Sequence, residues 1–234
     1  MPPYEAVLFD KDGTLFDFAA TWGNWTRELV HDLGGGDPAR ARDLALAIGY
    51  DLERAGFAPE SPVIAHTPVE IAEALLPLLP GAAAGELVER MNALSAAATQ
   101  VPVGDLALIL DGLRGRGLRL GLVTNDAEAP ARAHLARAGV LERFDFVAGS
   151  DSGFGAKPDP GPLLAFARLE GLRPDRVVMV GDSRHDLQAG RAAGMATVGV
   201  LTGLADRAAL SSLADAVLPD IGHLAGWLDV MAAR

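Results

Sequence analysis

The sequence contains no cysteine, so disulfides and thiolate metal sites are excluded. Lysine is almost absent as well: Lys11 and Lys157 stand alone, and every other basic side chain besides histidine is arginine. Where arginine carries the solvated charge, a lysine points to a use for its compact ammonium head. Positive charge is scarce overall, with 20 Lys and Arg against 31 Asp and Glu and a formal net charge of −11. That balance argues against nucleic acid or an anionic membrane face as partner. An anionic ligand must then be drawn by a local positive site. No apolar run is long enough to span a bilayer, and no basic segment followed by an apolar one opens the chain. The expected location is the cytoplasm.

What is present is ordinary in bulk: 234 residues, 50% of them hydrophobic and 22% charged, enough for one large domain or two smaller ones. The strongest local pattern is Ala6-Val7-Leu8-Phe9-Asp10-Lys11-Asp12-Gly13-Thr14-Leu15. An apolar strand ends in two carboxylates one residue apart. Alternation along a strand points Asp10 and Asp12 the same way and sends Lys11 to the opposite face, where no chemical part is expected of it. Two adjacent acids repel, and a metal or one retained proton relieves the repulsion. A plain Asp-Gly turn is the simpler alternative.

After Leu15 the pattern becomes helical, with periodic stretches over Thr21–Leu33, Pro38–Ala55, Pro68–Leu79 and Ala83–Thr99. Glycine- and proline-rich separators divide them. From Val101 onward strands and helices alternate. Strands are expected at Leu118–Thr124, Phe144–Ala148, Arg176–Val180, Thr197–Val200 and Ala216–Leu218, and helices at Leu106–Arg116, Pro130–Ala138, Pro160–Glu170, Asp186–Ala193 and His223–Ala233. Apolar strands alternating with helices imply an α/β fold with a parallel sheet covered on both faces. The strand at Ala6–Phe9 has no partner unless it joins that sheet. The expected organisation is a discontinuous α/β core, residues 1–16 and 100–234, with a helical domain of residues 17–99 inserted after the first strand.

In such sheets ligands sit at the carboxyl ends of the strands. Asp10 and Asp12 follow the first strand, Thr124-Asn125-Asp126 the second, a loop ending in Lys157-Pro158 the third, and Gly181-Asp182-Ser183 with Asp186 the fourth. No packing requirement explains that convergence. The order Asp10-x-Asp12-Gly13-Thr14, Thr124-Asn125, Lys157-Pro158, Gly181-Asp182-Ser183-x-x-Asp186 resembles the haloacid dehalogenase superfamily of aspartate-nucleophile phosphotransferases. Within it, the chain is similar to the phosphoglycolate-phosphatase-like branch with a helical cap. The resemblance implies a Rossmann-like core and hydrolysis of a small phosphorylated metabolite, phosphoglycolate or a similar monoester; a monomer or homodimer is expected.

It also implies roles. Asp10 is the nucleophile that forms an aspartyl-phosphate, and Asp12 the general acid and base. Mg²⁺ is held by the Asp10 carboxylate, the Asp12 backbone carbonyl and Asp182. Thr124, Lys157 and the region of Asn125 hold the phosphoryl oxygens, while Ser183 and Asp186 act behind them, orienting water or Lys157. Asp12 disfavours a dehalogenase, which needs no general acid, and the absence of lysine from residues 17–99 disfavours Schiff-base phosphonate chemistry. A phosphomutase of the β-phosphoglucomutase kind and a catalytically silent module are the alternatives.

The helical block is less informative. Trp22 and Trp25 share a helix face and either pack its core or line the leaving-group pocket. Arg27, nearest the hinge, is the candidate partner for a substrate carboxylate, and His66 a candidate specificity contact. His31, His134, His185 and His223 lack metal-ligand spacing and are expected on the surface.

Overall fold

The computed structural model describes residues 4–233. Strand β1 (Ala6–Phe9) is followed by a helical insertion: α1 (Phe18–Leu33), α2 (Pro38–Ala47), a hairpin of β2 (Tyr50–Asp51) and β3 (Gly56–Phe57), α3 (Pro68–Leu75) and α4 (Ala84–Ala97). Alternating elements follow: α5 (Leu106–Arg114), β4 (Arg119–Val123), α6 (Glu128–Arg137), β5 (Phe146–Ala148), α7 (Gly161–Leu169), β6 (Val177–Gly181) and α8 (Arg184–Ala192). The chain closes with β7 (Ala196–Val200), α9 (Arg207–Ser211), β8 (Ala216–Leu218) and α10 (Leu224–Ala232).

Six strands form one parallel sheet in the order β5-β4-β1-β6-β7-β8. β1 lies between β4 and β6, with Phe9 opposite Leu122 on one side and Val180 on the other. Alternate residues of β1 serve the two faces. Val7 and Phe9 join a core with Leu106, Leu110 and Leu224, while Ala6 and Leu8 join one with Leu163, Phe166 and Ala189. Each buried leucine of α5 removes enough apolar surface to contribute about 1.5–3 kcal/mol. Burial on both faces is why these strands are apolar without alternation.

The insertion carries its own core, in which Trp25, Leu29, Leu44, Ile48, Tyr50 and Leu75 pack together. Three of its four helices begin at side-chain caps: Asp17 accepts from the Ala20 N–H at 2.8 Å before α1, Asp37 from the Ala39 N–H at 2.9 Å before α2, and Thr67 and Glu70 form a reciprocal capping box before α3. One expectation fails here. The helix expected over Pro38–Ala55 ends at Ala47, and the β2–β3 hairpin takes its place. Gly49 stands at φ +68°, the left-handed geometry that terminates helices. Asp51 then accepts from the N–H groups of Glu53 and Arg54 and closes the turn. Leu52, in phase with Leu44 and Ile48, belongs to that turn rather than to α2. Among the described residues no helix is long and apolar enough to cross a membrane.

Candidate active site

The sheet register sets the site. Because Phe9 is level with Leu122 and Val180, the residues after β1, β4 and β6 emerge at one edge. The Asp10 N–H still donates to the Val180 carbonyl at 2.9 Å, which anchors Asp10 at the sheet's centre. Asp10, Asp12, Thr124, Asn125, Lys157 and Asp182 all line one cavity between this edge and the insertion.

Lys157 is the buried hub. Its Nζ donates to Asp10 Oδ1 at 2.6 Å, Asp186 Oδ1 at 2.6 Å and the Val123 carbonyl at 2.8 Å. All three ammonium protons are thereby used. Burial opposes the Lys157 charge, but Asp10 and Asp186 outweigh it and raise its pKa. Asn125 holds the lysine's backbone, accepting from the Lys157 N–H at 2.9 Å and donating to its carbonyl at 2.8 Å. The same amide donates to the Ala65 carbonyl at 2.7 Å, tying the insertion to the core. The Thr124 hydroxyl accepts from the Asp126 N–H at 3.1 Å and keeps its own proton to donate.

Asp186 caps its own helix. Its Oδ2 accepts from the Ser183 N–H at 3.0 Å and hydroxyl at 2.7 Å, while Oδ1 holds Lys157. Both oxygens are therefore committed. Asp182 sits in a cradle of glycine: Gly13, at φ +80°, and Gly203 both approach so closely that a Cβ at either would collide with its carboxylate. The carboxylates of Asp10, Asp182 and Asp186 lie within 4.8 Å of one another, all buried. Burial raises the Asp10 pKa to about 7, with Lys157 pulling it down and Asp186 and Asp12 pushing it up. Burial, then repulsion from Asp10 and Asp186, holds Asp182 well above the usual carboxylate range. Lys157 brings one positive charge against the three carboxylates of the cluster. The free donors of the cluster are hard carboxylate oxygens, which fit a small divalent cation such as Mg²⁺.

Lys11 corrects the expectation from alternation. β1 ends at Phe9, so Lys11 lies in the turn, where strand facing no longer applies. It is fully buried, with Nζ 2.6 Å from Asp12 Oδ2, 3.4 Å from Asp126 Oδ2 and 3.1 Å from His134 Nδ1. Burial works against its charge, yet Asp12 and Asp126 raise its pKa. An ammonium only donates, so His134 accepts at Nδ1 and its Nε2–H donates to the Ser95 carbonyl at 2.7 Å. His134 was expected on the surface but is buried, and its pKa is pushed down to about 4, first by burial and then by Lys11. The Ser95 hydroxyl donates to Asp126 at 3.1 Å, so α4 of the insertion shares this network.

His185 was also expected on the surface. It is half-buried at the cavity rim, its ring 6.1 Å from that of His66, and burial lowers its pKa. His31 and His223 are exposed. Trp22 and Trp25 do both things considered for them, packing the insertion core and lining the cavity. Arg27 does not reach the cavity: it is exposed, its guanidinium 5.7 Å from the Tyr50 ring centroid. The scarcity of lysine was the one signal in the sequence that singled out Lys11. Nothing in the sequence marked Asp126, Ser95 or His134 as its partners.

A model of haloacid dehalogenase-like hydrolases matches residues 4–194. The chain belongs to the haloacid dehalogenase-like hydrolases. A phosphoglycolate phosphatase of Xanthomonas campestris pv. campestris is 32% identical over 228 residues, covering 95% of this chain and 96% of that protein. A phosphoglycolate phosphatase of Rhodospirillum rubrum is 40% identical over 132 residues, 56% of this chain, so the match spans 54% of that relative's length. A solved structure described as a predicted phosphoglycolate phosphatase from Haemophilus somnus shares the fold, with a TM-score of 0.75, 18% identity and coverage of 97% of this chain and 99% of that one. In this haloacid dehalogenase-like hydrolase Asp10, Thr124 and Asp182, which follow β1, β4 and β6, line the cavity.

Proposed function

We propose that the chain is a Mg²⁺-dependent phosphatase that cleaves a small phosphate monoester through an aspartyl-phosphate on Asp10. Residues 17–99 serve as its cap and the remainder as its catalytic core. The observation that carries this reading is the pairing of Asp10 with Lys157 at the sheet centre, next to Asp182 and the Thr124 hydroxyl. The relatives named phosphoglycolate phosphatase bring phosphoglycolate forward as a candidate substrate.

An Asp10 carboxylate oxygen attacks phosphorus, and the bond from phosphorus to the ester oxygen breaks. Lys157, its three protons held by Asp10, Asp186 and the Val123 carbonyl, sets its positive charge beside the phosphoryl oxygens, and Thr124 directs its O–H at them, where negative charge persists through the transition state. Asp12 gives its proton to the departing alkoxide. It then takes one from the water that attacks the phosphorylated Asp10 and releases phosphate. Asp12 suits both steps, because Lys11 holds Oδ2 in place while Oδ1 is buried with no hydrogen-bond partner. Asp10, Asp182 and the Asp12 carbonyl would hold Mg²⁺, which when bound neutralises the clustered acids and the phosphoryl charge. Asp186, with both oxygens committed, positions Lys157 instead of the metal.

The test is Asp10→Asn with an aryl phosphate. Turnover falls to background while the melting temperature does not fall, because the substitution removes a carboxylate that burial penalises. Retained turnover would exclude Asp10 as the nucleophile.

A further inference from the structure

The cavity has two ends of opposite chemistry. The core end carries the acids, Thr124 and Lys157. The insertion end is walled by Phe18, Trp22, Trp25, Val63, Ile71 and Met91, each more than nine-tenths buried. Among the described residues no arginine lines the cavity, and Lys157 is its only lysine. Lys11, 5.5 Å from the Trp22 ring centroid, is already paired with Asp12 and Asp126. Arg90 pairs with Asp32 and Arg42 with Glu53, both on the outside of the insertion. Two polar atoms complete this end. Trp22 Nε1, a donor, and Asn92 Oδ1, an acceptor, are buried without hydrogen-bond partners, and both residues line the cavity.

An anionic leaving group is poorly matched to such a wall. The carboxylate of glycolate would surrender its hydration and meet aromatic rings and aliphatic side chains, with no cation to repay the loss. An uncharged apolar group instead removes cavity surface from water, and a single hydroxyl or carbonyl could use the free Trp22 and Asn92 atoms. We propose that the substrate is a phosphate monoester of a compact, uncharged and largely apolar alcohol, aromatic or aliphatic, and that carboxylate-bearing esters such as phosphoglycolate are selected against. This inference rests on the phosphatase reading above and specifies its leaving group. Water-sized molecules can place their centres in about 50 Å³ of this cavity, so the alcohol is compact. The assays are run at about pH 8.5, above the ordinary imidazole range, so that the comparison reads the apolar wall.

The experiment compares propyl phosphate and benzyl phosphate with phosphoglycolate, using the full chain with Mg²⁺. The expected result is a kcat/KM for the uncharged pair higher by on the order of 100-fold. In parallel, propylphosphonate and phosphonoacetate, matched in size and not hydrolysed, are titrated by tryptophan fluorescence; Trp22 and Trp25 place the signal in the cavity. Propylphosphonate is expected to bind more tightly by a similar factor, and Asn92→Lys to narrow that gap at least about tenfold. Equal or better kcat/KM for phosphoglycolate, or equal phosphonate affinities, would overturn the proposal. Absence of turnover with every ester would overturn the phosphatase reading, and the phosphonate affinities would still decide the leaving group.

Discussion

Replacing Lys157 with methionine tests the charge balance at the heart of the site. The substitution keeps an unbranched side chain of similar length and removes the one cation among Asp10, Asp182 and Asp186. The ammonium now donates to Asp10 and Asp186 at 2.6 Å each, fully inside the protein. Deleting one member of a buried ion pair costs about 3–5 kcal/mol when its partner must stay charged. Here Asp10 can escape by binding a proton, so the cost depends on pH.

The sign follows from Asp10. Its pKa is raised from 3.8 to about 7 in the native state. Its contribution to stability is therefore fully present below 3.8 and lost as pH rises towards 7. Without Lys157, the native pKa of Asp10 rises further, and the loss continues into the alkaline range. In metal-free urea denaturation, Lys157→Met should cost about 1–2 kcal/mol near pH 5.5 and about 3–5 kcal/mol near pH 8.5, a gap set by about 1.4 kcal/mol per pH unit for each proton. Millimolar Mg²⁺ should recover part of the alkaline loss. An equal penalty at both pH values would refute the buried-pair account, because uncharged packing has no reason to follow pH.

The remaining predictions use the same geometry. Metal binding must displace the proton of Asp10, so calorimetric Mg²⁺ affinity should fall about tenfold per pH unit below about 7, and more steeply where Asp182 is protonated as well; a flat profile would sink the acid-cluster site. His134 is held down from 6.5 to about 4, so its contribution is present above 6.5 and lost as pH falls through 4. The destabilisation caused by His134→Gln should therefore shrink by up to about 3 kcal/mol between neutral pH and pH 4, as read by denaturant melts. Asp12→Asn should slow alkyl phosphates far more than nitrophenyl phosphate, whose leaving group needs no proton; equal losses would count against the general-acid role.

Legibility divides along physical lines. Asp10, Thr124, Lys157 and Asp182 could be placed together because a parallel sheet brings its carboxyl ends to one edge, whatever the helices do. The six-stranded parallel sheet itself follows from apolar strands alternating with helices. Where local rules were extended too far, they failed. Strand alternation was carried beyond Phe9 into a turn and sent Lys11 away from the acids it contacts. Helical periodicity was carried past Gly49, whose backbone geometry ends α2. His134 and Arg27 failed for another reason. The burial of His134 follows from the packing of α4 on α6, and the exposure of Arg27 from the face of α1 turned away from the cavity, and neither is encoded in a few neighbouring residues.

The two lysines resolve into one arrangement. Five carboxylates, those of Asp10, Asp12, Asp126, Asp182 and Asp186, surround the core end of the cavity, and Lys11 and Lys157 are the lysines set among them. Each lysine bridges two acids, Lys11 joining Asp12 to Asp126 and Lys157 joining Asp10 to Asp186. Asp182 is left without a lysine of its own, cradled by glycines and held above the usual carboxylate range. A phosphate dianion entering this site alone would add charge to an already negative cluster. Under the proposed mechanism, electrostatics would therefore favour filling the metal site of Asp10 and Asp182 before the phosphate enters. The same accounting explains the apolar wall opposite: with every nearby cation committed to the reacting centre, none remains to hold a second negative charge on the leaving group.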